Sequence, residues 1–247
     1  MSATVQYDDI RKEYVALAAT EPSKQFVQYP EILRLLGDVK GQKILDVGCG
    51  PGLLTRQIAA RGAEVTAYDN SAEQIQLALE EENAHPLGIR YLIADANSIE
   101  KESGLPPAYF DSAISTLVLH YAKDLAELEQ FFSSTFRLLK EDSRFITIIC
   151  NPDYTRMDQR AYNRVFRRIE GKKMTADFLD PDGTLKFTAT FSDFSREEYE
   201  TAAKGAGFGK TEWFGLRITQ EGREKMGPEF WNDFEEDCPY ITFMATK

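Results

Sequence analysis

Between residues 41 and 150 the sequence alternates regularly between strand-like and helix-like segments, and this alternation limits the fold more than any other feature. Short apolar runs rich in β-branched residues are typical of strands that are covered on both faces. Helical segments between such runs indicate βαβ units, and therefore an α/β fold with a parallel sheet. The sequence predicts strands at Lys43–Val47, Glu64–Asp69, 89–95, Phe110–Thr116 and 144–150.

Two of the intervening helices have clear start signals. Ser71 with Gln74, and Asp124 with Glu127, have the spacing of a capping box, in which side chains satisfy the first backbone amides of a helix. The apolar residues after Asp124 then follow a helical period. We therefore expect helices that begin just after Ser71 and Asp124.

The alternation stops after residue 150, and residues 151–194 form a predicted insertion. Arg156, Arg160, Arg164 and Arg168 recur every four residues, which predicts one stripe of an amphipathic helix. Such a stripe is either a solvated helix face, whose arginine stems cover the sheet, or a clamp for an anionic ligand.

A hairpin is predicted later in the insertion. Strand-like runs at 174–179 and 185–191 flank the pair Asp182-Gly183, a combination typical of a tight turn. With no linker or repeat, we expect residues 1–247 to form one domain, in which 1–40 is a helical lid and 151–194 a cap over the ligand. The alternation resumes with a helix capped by Ser195 and Glu198, a strand within 210–219, a helix from Pro228 and a strand at Tyr240–Thr246.

Charge and composition exclude several classes of function. The 29 Lys and Arg against 40 Asp and Glu give a net charge of −11, which repels nucleic acids and anionic membranes. No apolar run approaches the ~20 residues that span a bilayer, and the start does not resemble a signal peptide. We expect a cytoplasmic protein, a monomer or homodimer without a nucleic acid or membrane partner. Three scattered cysteines and two histidines predict no disulfide framework and no metal site.

The stretch ILDVGCGPG at 44–52 is a buried strand that runs into a glycine-rich turn at the start of a helix. Glycines at this position let a ligand approach the backbone, where the amides of the helix start point toward it. A dinucleotide fingerprint counted from Gly48 would require glycine where Leu53 stands, and the third glycine comes one residue early, at Gly52. Asp46, just before the loop, suits a ligand with an ammonium group better than a pyrophosphate.

Two further acids end the next two strands. Asp69 lies where a carboxylate can accept both hydroxyls of a ribose, and Asp95 offers an acceptor for an exocyclic amine. The carboxyl ends of parallel strands meet at one edge of the sheet, where ligands of open α/β sheets bind. The sequence therefore predicts a nucleoside-like ligand at this edge.

With these motifs the chain resembles the class I S-adenosylmethionine (SAM)-dependent methyltransferases. The resemblance rests on ILDVGCGPG at 44–52, VTAYDNS at 65–71, IADAN at 93–97 and FDSAISTLVLHY at 110–121. It implies a Rossmann-like fold with a seven-stranded, mostly parallel sheet in the order 3-2-1-4-5-7-6. The last strand is expected to be antiparallel, with helices on both faces of the sheet.

The resemblance also implies the roles of individual residues toward SAM, with no metal. The loop and the acid before it would hold the methionine part, Asp69 the ribose and Asp95 the adenine amine, while Thr116 would contact the methionine amine. Tyr7 and Tyr14, in the N-terminal lid, would bond the methionine carboxylate or pack. The cofactor-binding residues predicted in this way are Tyr7, Tyr14, Asp46, Gly48, Cys49, Gly50, Leu53, Asp69, Asn70, Asp95, Ala96 and Thr116.

A narrower similarity concerns the acceptor. QYDDIRKEY near the start, YPEILRLLGDVKGQ at 29–42 and the closing segments are similar to the branch that includes toxoflavin synthase, an azapteridine N-methyltransferase of natural product biosynthesis. That branch implies a small planar heteroaromatic acceptor, methylated at nitrogen. Aromatic residues of the insertion and C-terminal segment could stack on such a ring or belong to the core: Tyr154, Phe187, Phe191, Trp213, Phe214, Phe230 and Trp231.

Methyl transfer from a sulfonium depends mainly on alignment, so a strong base is not required. His120, just after the fourth strand, is the candidate proton acceptor, since its ordinary pKa of ~6.5 suits that work. It could equally be a structural residue at a helix end. Other functions remain open: O- or C-methylation of another small molecule, methylation of RNA or protein, SAM binding without catalysis, or a nicotinamide-dependent oxidoreductase.

Overall fold

Eleven strands and eight α-helices form the described part of the protein, which in this computed structural model is residues 21–102, 104–161, 163–180 and 182–247. The strands are β1 (Lys43–Val47), β2 (Glu64–Asp69), β3 (Arg90–Ile93), β4 (Phe110–Thr116), β5 (Leu139–Cys150), β6 (Arg160–Ala161), β7 (Arg164–Ile169), β8 (Lys173–Leu179), β9 (Leu185–Ser192), β10 (Lys210–Phe214) and β11 (Tyr240–Thr246). The predicted strands at 89–95 and 144–150 are thus present with shifted ends.

The helices connect these strands and pack on the sheet. They are α1 (Tyr29–Leu36), α2 (Leu53–Ala59), α3 (Ala72–Ala84), α4 (Ile99–Glu102), α5 (Leu125–Leu138), α6 (Arg196–Gly205), α7 (Gln220–Met226) and α8 (Pro228–Glu236). A π-helical segment at Lys24–Gln28 leads into α1, and a 3₁₀ turn at Leu119–Tyr121 follows β4. No helix within the described ranges is both long and apolar enough to cross a bilayer.

The predicted helix starts are confirmed. The Ser71 hydroxyl accepts the Gln74 amide, and the Asp124 carboxylate accepts the Glu127 amide at 2.9 Å. Ser195 forms a complete capping box with Glu198 at the start of α6. These caps satisfy amides that have no partner inside the helix, and so they set where each helix begins.

Seven strands form the main sheet in the order β10-β11-β5-β4-β1-β2-β3. Numbered along the chain within this sheet, the order is 6-7-5-4-1-2-3, as predicted. The strands from β3 to β5 pair in parallel, whereas β11 pairs antiparallel with both of its neighbours. The chain reverses its direction of winding between β1 and β4, which is where ligands of open α/β sheets bind.

Two hydrophobic clusters cover the two faces of this sheet. Ile44 and Leu45 are adjacent in β1 and both fully buried, yet they belong to different clusters because successive strand residues point to opposite faces. Ile58 of α2 packs in the cluster with Ile44, and Phe132 of α5 packs in the cluster with Leu45. The prediction of helices on both faces is therefore confirmed.

The insertion folds as a second sheet, in the order β6-β7-β8-β9, with every pair antiparallel. The predicted hairpin at 174–179 and 185–191 is present as β8 and β9. The predicted Arg-rich helix is wrong, because its residues form β6 and β7. Residues four apart share a face in a strand as well as in a helix, and the β-branched and aromatic run of β7 pairs with β8.

Four arginines of the insertion have acidic partners instead of forming a solvated helix face. Arg164 is buried, pairs with Glu21 at 2.8 Å and places its guanidinium 3.8 Å from the centroid of the Phe178 ring. The Ser23 hydroxyl donates to the same Glu21 carboxylate at 2.7 Å. Further pairs join Arg156 to Asp233 and Glu236, Arg167 to Asp177, and Arg168 to Asp193.

The Arg164–Glu21 pair is expected to stabilise the contact between β7 and the segment before α1. Arg164→Met leaves the Glu21 carboxylate buried without its charged partner, which should lower the free energy of unfolding by about 3 kcal/mol. Urea denaturation monitored by circular dichroism measures the change.

A double variant that replaces both Arg164 and Glu21 with Met should recover most of this loss, since no isolated charge then remains in the interior. Lys172→Met, which removes an exposed partner of Glu198, is the control and should leave the stability unchanged within error. An equal loss in the single and double variants would contradict the ion-pair explanation.

Candidate functional site

A cavity of about 650 Å³ lies at the carboxyl ends of β1 to β4, beneath the sheet of the insertion. This is the volume range of small-molecule sites. Residues after four neighbouring strands line it, because parallel strands bring their carboxyl ends to the same edge. The predicted site residues that the structure brings together here are Gly48, Gly50, Asp69, Asn70, Asp95, Ala96, Thr116 and Phe191.

The glycine loop takes a shape that requires its glycines. Gly48, Gly50 and Gly52 all have positive φ angles, of 68°, 54° and 80°. A Cβ at Gly48 would overlap the Val118 side chain, and a Cβ at Gly52 would overlap the Tyr91 hydroxyl. The loop can therefore adopt this turn and pack against Val118 and Tyr91 only without side chains at Gly48 and Gly52.

Hydrogen bonds tie the loop to β2. The Gly48 and Cys49 amides both donate to the Tyr68 carbonyl oxygen, at 2.9 and 3.0 Å. The Gly50 amide donates to one Asp69 carboxylate oxygen at 2.9 Å, while the Ser71 amide donates to the other at 2.9 Å. The Asp69 carboxylate is thereby held in one orientation at the cavity wall.

Asp95 lies beside Asp69 at the end of the neighbouring strand and is exposed. Its carboxylate accepts the Asn97 amide at 2.8 Å. The Asn97 side chain in turn donates to Glu127 of α5 at 2.9 Å. These contacts fix the segment after β3 against the first turn of α5.

Asp46 is buried and is not among the cavity-lining residues. Its carboxylate accepts the Thr55 hydroxyl at 2.6 Å, which ties β1 to the first turn of α2. Burial raises the pKa of Asp46 to about 7, and the nearby Asp69 charge adds to the rise. In the structure Asp46 thus holds together the strand and the helix on either side of the glycine loop.

Comparison with known proteins agrees with this geometry. Residues 45–147, which include the glycine loop and the strand ends at Asp69, Asp95 and Thr116, match the family model described as "Methyltransferase domain". This segment of the chain is similar to methyltransferase domains. The predicted resemblance to methyltransferases is therefore confirmed, whereas the toxoflavin synthase branch stays a prediction.

Individual relatives resemble the chain over different lengths. Malonyl-[acyl-carrier protein] O-methyltransferase of Salmonella typhimurium is 32% identical over 126 residues, which are 48% of this chain and 47% of that protein. The chain thus spans less than half of that relative's length. An uncharacterized protein of Haemophilus influenzae is 29% identical over 197 residues, covering 74% of this chain and 77% of that protein.

Among solved structures, an S-adenosylmethionine dependent methyltransferase from Mesorhizobium loti superposes with a TM-score of 0.64. The match covers 89% of this chain and 97% of that chain at 22% sequence identity. It confirms the Rossmann-like methyltransferase fold. Within the described ranges, no three or more potential metal-ligating side chains lie close enough to hold an ion.

His120 lies behind the residues that line the cavity. The ring is buried, and its centroid lies 4.6 Å from the rings of both Tyr121 and Phe191, which do line the cavity. Burial lowers the pKa of His120 to about 3, so the ring is neutral and a weak base. This position suits a packing residue rather than the predicted proton acceptor.

Most of the predicted aromatic contacts pack away from the cavity. Trp231 is buried and donates its indole N–H to the Gly222 carbonyl at 2.9 Å, while Tyr154 is buried against Phe166. Trp213 donates to Glu200 at 2.7 Å. Phe187, Phe214 and Phe230 are also absent from the cavity wall, and Phe191 alone of the predicted aromatic set lines it.

Four further predicted cofactor residues are not among the described residues that line the cavity. Cys49 and Leu53 pack against the hydrophobic cluster on the α2 side of the sheet and do not line the cavity. Tyr7 and Tyr14 lie outside the described residues, as do residues 1–20 of the predicted lid.

Several lining residues were missed from the sequence. Gln74 is buried at the cavity wall, and neither atom of its side-chain amide has a hydrogen-bond partner. Gln74 lies in the first turn of α3, shortly after Asp69 at the end of β2, and this position could have indicated a cavity-lining residue. Lys123, Lys173, Thr190 and Ser192 come from the 3₁₀ turn region and the insertion, whose approach to the cavity no local pattern indicates.

Asp46 is expected to make the unliganded protein less stable as the pH rises from about 4 to about 7. Its carboxyl keeps the proton in the folded state up to a pKa of about 7, against 3.8 ordinarily. In this window the folded state binds more protons than the unfolded state, so the free energy of unfolding falls with rising pH. Asp46→Asn removes this titration.

Urea denaturation at a series of pH values between about 4 and about 8 compares Asp46→Asn with the unchanged protein. The stability of the variant relative to the unchanged protein should increase across this window. Parallel pH profiles for the two proteins would contradict a raised Asp46 pKa.

Proposed function

We propose that this chain is a SAM-dependent methyltransferase that transfers a methyl group to a small molecule. The observation that carries the proposal is the joint placement of the glycine loop and the Asp69 and Asp95 carboxylates around one cavity, within a methyltransferase domain. A dinucleotide fingerprint is absent from the same loop, since Leu53 occupies its third glycine position. This favours a single nucleoside with an amino acid tail over a nicotinamide dinucleotide.

The cofactor end of the cavity has the donors and acceptors that such a nucleoside requires. Asp69, held by two backbone amides, accepts ribose hydroxyls, and Asp95 accepts the adenine amine. Gln74 supplies a buried amide whose donors and acceptor have no protein partner. A buried polar group of this kind is costly until a ligand satisfies it, so the site fits a polar ligand at this wall.

The chemistry comes from the bound cofactor, whose sulfonium makes the methyl group electrophilic. The protein then has to hold the acceptor in line with that methyl group and exclude water. Thr116 at the end of β4 and the next two residues, Leu117 and Val118, line the cavity beside the glycine loop. Leu117 has a φ of 60°, an uncommon conformation outside glycine, and its amide donates to the Ile148 carbonyl at 2.8 Å, which holds this turn in place.

For the acceptor we propose a small planar heteroaromatic molecule that is methylated at nitrogen. Support comes from Tyr121 and Phe191, whose rings line the same cavity with centroids 6.4 Å apart. Aromatic walls favour flat ligands through stacking and edge contacts. His120 packs against both rings and holds them in position without contacting the ligand.

Asp69→Asn tests the cofactor site. The variant keeps the volume of the side chain but loses the charge and one acceptor, so affinity for S-adenosylhomocysteine should fall by about two orders of magnitude in isothermal titration calorimetry. Glu64→Gln, at the exposed opposite end of the same strand, is the matched control and should bind normally.

If the unchanged protein bound NADH but not S-adenosylhomocysteine, the nicotinamide oxidoreductase would replace this proposal. Transfer of a labelled methyl group to a metabolite extract, but not to a protein extract, is the result expected for a small-molecule enzyme. Binding without transfer to either extract would indicate a SAM-binding protein without catalysis.

A further inference from the structure

We infer that the methyl acceptor binds as a small organic anion, held by the ammonium groups of Lys123 and Lys173. The inference rests on the proposed function and names the substrate class of the same cavity. Both lysines line the cavity, one just after the 3₁₀ turn that follows β4 and the other at the start of β8. They bring two positive charges to the side of the cavity that the insertion covers.

The charges of these two lysines are not balanced by protein carboxylates. Among the described residues, no Asp or Glu forms an ion pair with either ammonium group, although the chain has a net charge of −11. Six other cations of the insertion do have acidic partners. These pairs are Arg156 with Asp233, Arg164 with Glu21, Arg167 with Asp177, Arg168 with Asp193, Lys172 with Glu198, and Lys186 with Asp180.

Lys173 is held in place by neutral groups. Its ammonium donates to the Ser192 hydroxyl at 2.7 Å and lies 3.5 Å from the Lys123 carbonyl oxygen. The Ser192 hydroxyl in turn donates a hydrogen bond to the Ala122 carbonyl oxygen at 2.6 Å. An ammonium group has three donors, so these contacts orient Lys173 at the wall and leave capacity for a ligand oxygen or nitrogen.

The acids that line the same cavity accept hydrogen bonds from protein donors. Asp69 accepts the Gly50 and Ser71 amides, and Asp95 accepts the Asn97 amide. Glu127 accepts the Lys123 backbone amide at 2.6 Å and the Asn97 side chain at 2.9 Å. Among the described residues, Lys123 and Lys173 are the basic residues that line the cavity, and the carboxylates of Asp69, Asp95 and Glu127 are held by other protein groups.

An anionic acceptor also explains how methyl transfer proceeds without His120. A deprotonated oxygen or nitrogen donates its lone pair to the methyl carbon, the sulfur–methyl bond breaks, and its electron pair returns to sulfur. The anion and the sulfonium become a neutral methylated product and a neutral thioether. No proton moves in this step, so the buried, neutral His120 is not needed as a base.

Matched probes test the charge requirement. Benzoate, phenyl phosphate and the neutral benzamide are titrated calorimetrically into protein saturated with S-adenosylhomocysteine. We expect at least one of the two anions to bind about tenfold or more tightly than benzamide, as an ion-paired contact predicts. The carboxylate and the phosphate arms show which anion geometry the lysines prefer.

Lys123→Met and Lys173→Met should each reduce the affinity for the preferred anion about tenfold and leave the affinity for S-adenosylhomocysteine unchanged. Lys172→Met, next to Lys173 but exposed and paired with Glu198, is the control and should bind like the unchanged protein. Equal binding of benzamide and the anions, binding of none of the three probes, or anion affinity that survives both lysine variants would overturn the inference. If the unchanged protein did not bind S-adenosylhomocysteine, the proposed function would be overturned instead.

Discussion

Hydrogen bonds between the glycine loop and β2 are the interaction on which the rest of the site depends. The Gly48 and Cys49 amides share the Tyr68 carbonyl, and the Gly50 amide donates to Asp69. These bonds satisfy loop donors that no strand or helix can use, and they orient the Asp69 carboxylate at the same time. The shape of the loop and the position of Asp69 therefore depend on each other, and a change in one disturbs the other.

The charged side chains of this protein differ in burial and in the groups that they contact. Asp46 is buried, which raises the pKa of its carboxyl, and it accepts a hydrogen bond from the Thr55 hydroxyl. Arg164 is buried as well, but it has the Glu21 carboxylate as its partner. Lys123 and Lys173 line the cavity, and no Asp or Glu in the described part of the chain forms an ion pair with either ammonium group. Asp46 thus connects β1 to α2, the Arg164–Glu21 pair stabilises the fold, and the two lysines are available to a ligand.

Prediction succeeded for elements that local sequence specifies and failed where two structures satisfy the same pattern. Apolar runs with caps at Ser71 and Asp124 specify the strands and helices of the main sheet, and the structure has them. A four-residue arginine spacing fits one face of a helix and one face of a strand equally, and pairing between β7 and β8 decided for the strand. Likewise, aromatic content alone does not separate core from cavity, so Phe191 lines the site while Trp231 fills the interior.

The sequence by itself determined the α/β architecture, the strand order implied by its methyltransferase resemblance, and the acids at the strand ends. It could do so because strand alternation, glycine turns and caps act within a few residues of one another. Only the tertiary structure decided that Asp46 is buried against Thr55, that His120 is buried, and that the Lys173 ammonium lies beside the Lys123 carbonyl. Those residues are far apart in the chain, and their burial and partners depend on how the insertion packs over the sheet.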